Sequence, residues 1–483
     1  MRLTAGRVGN AAIMVILAIV TGIVLGVTTG CGAPRPPAVV EPSVSPFRDA
    51  PSGVVAITDA TVVTMTGAVL PHHTVVVRGD RIVALGPSAG QEVPIAATVI
   101  DGSGKWLMPA LADMHVHLWN KDDLTLFIAA GVTTVRNMSG EPRHLTWRSE
   151  IAAGQWIGPT IVTAGRIIDG DPPVWPGSAV LDSAGDAEQL VATQKAAGFD
   201  FLEPYTGLSF EAYQALAAAA KRDGMALEGH VPLAVGLPAA LAAGQRSIEH
   251  LESWLFAMLP EHVDLTRQRG TPEALRMALS QFDPTRLPGL IAKAVAAGAW
   301  ICPTLTAGDR IGGLDDLAAL RQRTRWLDLM APATLERWDQ DPRVSHYDFH
   351  DYGTVRAEGR LDAEIVAALA AAHAPLLVGT DTGDPYVVPG ASLHDEIELL
   401  VAAGIPRPSV LQAATTDAAR FLGAEHAGVV EVGARADLLV VSVDPMVAAL
   451  PLVPDGVVVR GRWLARDRLE AALADIKRRN AGH

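Results

Sequence analysis

Ala112-Asp113-Met114-His115-Val116-His117-Leu118 is an apolar run that carries two histidines one residue apart at its end. Read as a strand, its side chains alternate between faces, so His115 and His117 point the same way. Two neutral imidazoles side by side at a strand end supply half of a zinc-type ligand set. A hydrogen-bonded pair with no ligand role gives the same local pattern, and the motif takes its meaning from what surrounds it.

Outward from that run, the chain between Pro109 and Gly423 alternates short apolar β-type runs with Ala-rich helical stretches, the pattern of parallel βα units. Eight runs are visible, at 112–118, 132–137, 160–164, 199–205, 225–230, 247–250, 299–304 and 375–381. Eight is the number that closes a (β/α)8 barrel, so residues 109–426 are predicted to form an α/β TIM barrel. The helix after the fourth run is well signalled: Ser209 caps it, Glu211 lies in its first turn, Lys221 and Arg222 in its last, and Gly224 ends it. A longer stretch, 308–360, with Trp326, Trp338, His346, Tyr347 and His350, falls after the seventh run and is a candidate lid.

Residues 53–108 read differently, as short alternating strands with a hairpin turn at Gly79-Asp80, and strands of the same character return within 427–483. The two pieces are predicted to assemble one small composite β-sandwich into which the barrel is inserted. At the start of the chain, Arg2 and Arg7 precede a largely apolar run at 11–27 that stops at Gly30-Cys31. Residues 1–31 therefore resemble a bacterial lipoprotein signal with Cys31 as the lipid-modified residue, although Thr28 stands where that pattern favours Leu; an uncleaved anchor helix is the alternative. Residues 32–52, rich in proline, read as an extended tether. Either way the body is expected to be exported, membrane-attached through its N-terminus, on the outer side of the cytoplasmic membrane or in the periplasm.

The 483 residues are 49% hydrophobic and 19% charged, which fits a well-packed globular body. A formal charge of −14 argues against a nucleic-acid partner, whose phosphates such a surface repels. The two cysteines, Cys31 and Cys302, form no disulfide framework. Oligomeric state is not legible.

The ends of the eight runs hold a series of metal-capable side chains: His115 and His117 on the first, Glu203 on the fourth, His230 on the fifth, His250 on the sixth and Asp381 on the eighth. Barrel active sites lie at the C-terminal ends of the strands, so these distant residues are predicted to meet.

Pro109 to Leu118, Gly131-Val132-Thr133-Thr134-Val135-Arg136, Glu228-Gly229-His230-Val231, Ser247-Ile248-Glu249-His250-Leu251, Gly379-Thr380-Asp381-Thr382-Gly383 and Gly433-Ala434-Arg435-Ala436-Asp437-Leu438 together resemble the metal-dependent amidohydrolase superfamily, in its imidazolonepropionase-like and prolidase-like branch. The resemblance implies one or two divalent ions, with zinc expected. His115 and His117 would hold the more buried ion, His230 and His250 the more exposed one, and Asp381 would bind metal while acting as the catalytic proton shuttle. Many relatives carry a lysine near the end of the fourth strand; this chain has Leu202-Glu203-Pro204-Tyr205, so Glu203 either bridges two ions directly or caps a neighbouring positive group. Ala110 stands where relatives carry glycine.

Tyr205 and Arg136 are weaker candidates, either as substrate-binding groups or as barrel-mouth packing and a structural salt bridge. His394 and Cys302 read as structural, and His144, His346 and His350 have no assigned role. The expected activity is hydrolysis of a non-endopeptide C–N amide bond, as in a dipeptide or an N-acyl amino acid, by metal-activated water. A cyclic-amide hydrolase or a deaminase of the same fold is the alternative, with a non-catalytic lipoprotein binding module behind it.

Overall fold

The computed structural model describes residues 42, 44–51, 53–265, 271–341 and 351–481, all within the unit running from Glu41 to His483. The signal-like segment and the candidate residues His346, Tyr347 and His350 lie outside the described residues. No described helix is long and apolar enough to cross a membrane.

Strands β1 (Val54–Val63), β2 (Val69–Arg78), β3 (Arg81–Pro87), β4 (Thr98–Asp101) and β5 (Trp106–Pro109) come first. Then follow β6 (Leu111–Val116), β7 (Val132–Asn137), β8 (Thr160–Thr163), β9 (Ile168–Asp169), β10 (Ala179–Val180), β11 (Phe201–Leu202), β12 (Ala226–Gly229), β13 (Ser247–Glu249) and β14 (Trp300–Cys302). The last three are β15 (Leu438–Val441), β16 (Gly456–Val459) and β17 (Arg462–Ala465).

β6 to β8 and β11 to β14 are the first seven predicted runs, paired in parallel in chain order. The eighth run is held by single bridges rather than a regular ladder. Leu376 bridges Ile301 of β14, and Thr382 bridges Val116 of β6. A further bridge, Ala164 to Phe201, joins the two halves, so the eight staves are linked all the way round. The helix after the fourth stave spans Phe210–Asp223, with Ser209 Oγ accepting from the Ala212 amide at 3.1 Å and Gly224 at φ +69°. There the left-handed backbone suits glycine.

The terminal strands form one connected sheet in the order β17-β16-β15-β5-β1-β2-β3, with β4 also on β1. Among the described residues these strands form a single bonded sheet with a buried cluster of its own. The period of two decides which way each side chain goes. Leu438, Val440 and Val458 share a buried cluster with Val55, Ile57, Val75 and Val77, while Leu439, Val441, Val457 and Val459 join the barrel core.

Two predicted boundaries need correction. Residues 32–52 are not wholly an extended tether, because Phe47 is fully buried in the barrel core and Ser45 Oγ accepts from the Ile157 amide at 3.2 Å. Burying one phenylalanine contributes about 1.5–3 kcal/mol, which offsets only part of the ordering cost of about 1–2 kcal/mol per residue. Nor does 427–483 belong wholly to the β unit. Its last helix, Arg466–Ala481, crosses to the barrel, where the Arg479 guanidinium donates to both Asp122 carboxylate oxygens at 2.6 and 2.8 Å.

The candidate lid contains helices at Leu305–Gly312, Leu317–Arg323, Pro332–Asp339 and Tyr352–Ala371. It is tied to the segment after the eighth stave, with Trp338 Nε1 donating to the Gly383 carbonyl at 3.2 Å and the Tyr386 hydroxyl to Asp339 at 2.7 Å.

Candidate metal centre

Stave eight approaches stave one closely because Gly379 has no side chain. A Cβ there would lie 2.5 Å from Cys302 Sγ and 2.6 Å from the His115 amide nitrogen. The approach delivers Asp381 to the two histidines: its Oδ1 lies 3.0 Å from His117 Nε2 and 3.3 Å from His115 Nε2. His250 Nε2 is 4.0 Å from the other Asp381 oxygen. The ring of His250 lies 4.9 Å from that of His115 and 4.5 Å from that of His230, which in turn lies 4.1 Å from the Tyr205 ring. His115, His117 and Asp381 place one donor atom each within a 4.8 Å cluster. Both His250 and Asp381 have left-handed backbones, φ +60° and +62°, a costly conformation for such residues that recurs at functional sites.

The cluster is graded in depth. The side chains of His115 and Glu249 are fully buried and Glu203 is at 0% exposure, whereas those of His117 and His250 are about one-fifth exposed. Burial alone would raise the Asp381 pKa, but His115, His117 and His250 outweigh it and hold the carboxyl well below the usual range. His115 is affected oppositely: burial depresses it, yet the Asp381 charge beside it leaves it raised. Burial, with His250 and His115 nearby, holds His230 well below its ordinary value, and His250 is pushed down to about 4 chiefly by burial. Both are thereby kept neutral, as ligation requires.

Buried donor atoms without partners test whether these residues suit a cation. Both Glu203 oxygens, His115 Nε2 and His230 Nδ1 are buried and make no hydrogen bond. Each such group ordinarily costs about 1–3 kcal/mol. Burial raises the Glu203 pKa well above the carboxylate range. A divalent cation would satisfy bare imidazole nitrogens and carboxylate oxygens together, and the mixed N/O set suits zinc-like ions.

Arg136 is not at the barrel mouth, which corrects its reading as a substrate-binding group. It is fully buried beneath the histidines, with Nε on the Met114 carbonyl at 2.6 Å, Nη1 on Glu228 at 3.0 Å and Nη2 on Glu249 at 2.8 Å. Strand alternation turns the β7 arginine into the barrel interior, where carboxylates from β12 and β13 meet it. Tyr205 stays at the site, its hydroxyl accepting from Trp175 Nε1 at 2.7 Å.

Some contributing residues were missed in the sequence. Glu249 accepts from His115 Nδ1 at 2.9 Å, and Thr304 Oγ1 is 2.6 Å from His250 Nδ1. A charged residue inside the short apolar run Ser247-Ile248-Glu249 was the available signal. His144 is buried, with Nε2 donating to the Leu118 carbonyl at 3.1 Å, and holds the loop that leaves His117. His394 donates to the Ala130 carbonyl at 2.9 Å and is structural.

The amidohydrolase family model matches residues 106–464. The chain belongs to the amidohydrolase family. That family is metal-dependent, in keeping with the donor cluster. Among solved amidohydrolase structures, the bottromycin amidohydrolase is similar at TM-score 0.71 and 27% identity, covering 90% of this chain and 92% of its own. A putative prolidase from Bifidobacterium longum is similar at TM-score 0.64 and 25% identity, covering 88% and 99%. Sequence similarity to curated relatives is more local. An adenine deaminase of Rubrobacter xylanophilus is 45% identical over 71 residues, 14% of this chain and 12% of that protein. Adenine deaminase 3 of Rhizobium meliloti is 23% identical over 234 residues, 40% of this chain and 38% of that protein. The chain thus matches well under two thirds of the length of these curated relatives.

Proposed function

We propose that this amidohydrolase hydrolyses a non-endopeptide amide bond, such as that of a dipeptide or an N-acyl amino acid. The observation that carries the reading is Asp381 Oδ1 within 3.3 Å of two imidazole nitrogens, above an unpartnered buried Glu203. His115, His117, His230, His250, Glu203 and Asp381 are the residues that would hold one or two divalent ions. A divalent ion held there, with zinc expected, would supply Lewis acidity to the amide carbonyl and to a water. Asp381, kept ionised by its histidine neighbours, takes a proton from the attacking water and passes it to the leaving nitrogen. The C–N bond breaks as the C–O bond forms, giving a carboxylate and an amine. Tyr205, beside His230, is placed to orient the substrate. Similarity over most of the chain to a putative prolidase and to the bottromycin amidohydrolase supports an amide substrate.

The local similarity to adenine deaminases favours one second reading, a deaminase of the same fold. We also propose export with lipid attachment at Cys31; a Cys31→Ser chain should leave the membrane fraction.

Elemental analysis of the purified protein, paired with a dipeptide and N-acyl amino acid panel before and after chelation, tests the function. The expected result is at least one metal per chain and chelator-sensitive release of amine and carboxylate. Two metals per chain would support a bridging Glu203. Ammonia release from an aminopurine would replace the proposal with the deaminase, and no metal with no turnover would leave a binding module.

A further inference from the structure

Beneath the proposed ligand layer lies a second polar layer that the hydrolysis does not use. His115 Nδ1 is 2.9 Å from Glu249 Oε2. A carboxylate only accepts, so Nδ1 carries a proton, while Nε2 lies 3.3 Å from Asp381 Oδ1. Glu249 is held in turn by Arg136 Nη2, at 2.8 and 2.9 Å to its two oxygens, and by the Ser247 hydroxyl. The same arginine grips the backbone of Met114, immediately before His115. Both the ring and the main chain of His115 therefore hang on one guanidinium.

The charges of this layer close on themselves. Arg136 faces Glu249 and Glu228, and Arg246 meets the second Glu228 oxygen at 2.9 Å, giving two cations and two carboxylates. His115, Glu249 and Cys302 also gather donor atoms within 4.8 Å. Because Arg136 already answers the Glu249 charge, that group is not a second ion site.

We infer that Glu249, clamped by Arg136, is a positioning residue that fixes His115 as the Nδ1–H tautomer and presents a bare Nε2 to the metal. The inference rests on the reading of the site as a metal centre. Carboxylates behind ligand histidines typically change metal affinity by about 10–100-fold. In Glu249→Gln, Arg136 would capture the amide oxygen and turn the amide N–H towards Nδ1, driving the ring proton to Nε2.

The test measures metal affinity by chelator competition on the full protein. Glu249→Gln should bind about 10–100-fold more weakly. Glu228→Gln, which touches the same arginine but not His115, should lose stability and keep wild-type affinity within about twofold. Unchanged affinity in Glu249→Gln, or an equal loss in Glu228→Gln, overturns the positioning role. Should Glu249→Gln fail to fold, nitrogen-15 NMR of the wild-type chain, metal-loaded or metal-free at a pH where the His115 ring holds a single proton, decides: that proton on Nε2 instead of Nδ1 refutes the inference. A wild-type chain that binds no metal instead removes the functional reading, while the NMR result still judges the tautomer.

Discussion

Asp381 Oδ1 lies 3.0 Å from His117 Nε2, a contact that exists because the first and last staves of the barrel are neighbours. It makes Asp381 both a ligand-type carboxylate and a base whose charge is stabilised by its surroundings. Asp381→Asn keeps the shape and removes the proton acceptor. The expected result is a folded protein whose kcat falls about 10²–10⁴-fold, measured at saturating substrate and metal. Near-normal turnover would end the proton-shuttle role.

Glu203 carries the opposite signature, a buried carboxylate with no partner. In metal-free protein Glu203→Gln should be neutral or stabilising, since it removes a group that burial penalises. With metal supplied, the same variant should bind fewer ions and gain less in Tm than the wild type. Equal metal content and equal Tm gain in both proteins would show that Glu203 is not a ligand.

His144 gives a pH test away from the ligands. Burial, then the charge of Arg143, pushes its pKa down to about 4 from an ordinary value of 6.5. Its Nδ1 accepts from the Glu141 amide at 3.0 Å while Nε2 donates to the Leu118 carbonyl, so only the neutral ring satisfies both contacts. The unfolded chain binds this proton more readily than the folded one. The contribution of neutral His144 is therefore fully present above pH 6.5 and is lost as pH falls towards 4. Against His144→Gln, urea unfolding should show the wild-type advantage shrinking by roughly 2–3 kcal/mol between pH 7.5 and 4.5. A pH-independent difference would contradict the neutral-ring reading.

Gly379 sets the spacing between staves. Its φ is not in the left-handed region, so Gly379→Ala acts through space alone: the new methyl meets Cys302 Sγ, the His115 amide nitrogen and the His115 Cβ at 2.5, 2.6 and 2.8 Å. Overpacking of this kind costs about 1–3 kcal/mol and should displace Asp381 from the histidines. Activity should fall more than stability explains, with metal affinity reduced. Wild-type activity in a chain less stable by that amount would show that stave spacing does not govern the site.

Much of this was readable because periodicity and local chemistry leave marks in one dimension. The apolar runs of 112–118 and 132–137 became β6 and β7 because each is short, β-branched or apolar, and bounded by turns. The helix from Phe210 obeyed its own cap at Ser209. Arg136 misled because a strand sequence gives alternation but not depth, and a buried arginine reads the same as one at the rim. Phe47 misled because composition around it described a flexible stretch, whereas one aromatic side chain found space in the core.

The sequence by itself determined the order of the parallel units, the histidines and carboxylates at their ends and the family, since these depend on residue identity and spacing alone. Only the tertiary structure decided which buried carboxylates are left without a partner and which face Arg136. Glu203 and Glu249 are both acids at or near strand ends, and nothing local separates them. Closure of the barrel gives Glu249 a guanidinium 2.8 Å away and leaves the Glu203 carboxylate without a hydrogen-bond partner. In a buried layer, a carboxylate's role is fixed by which opposite charge the fold brings within contact distance.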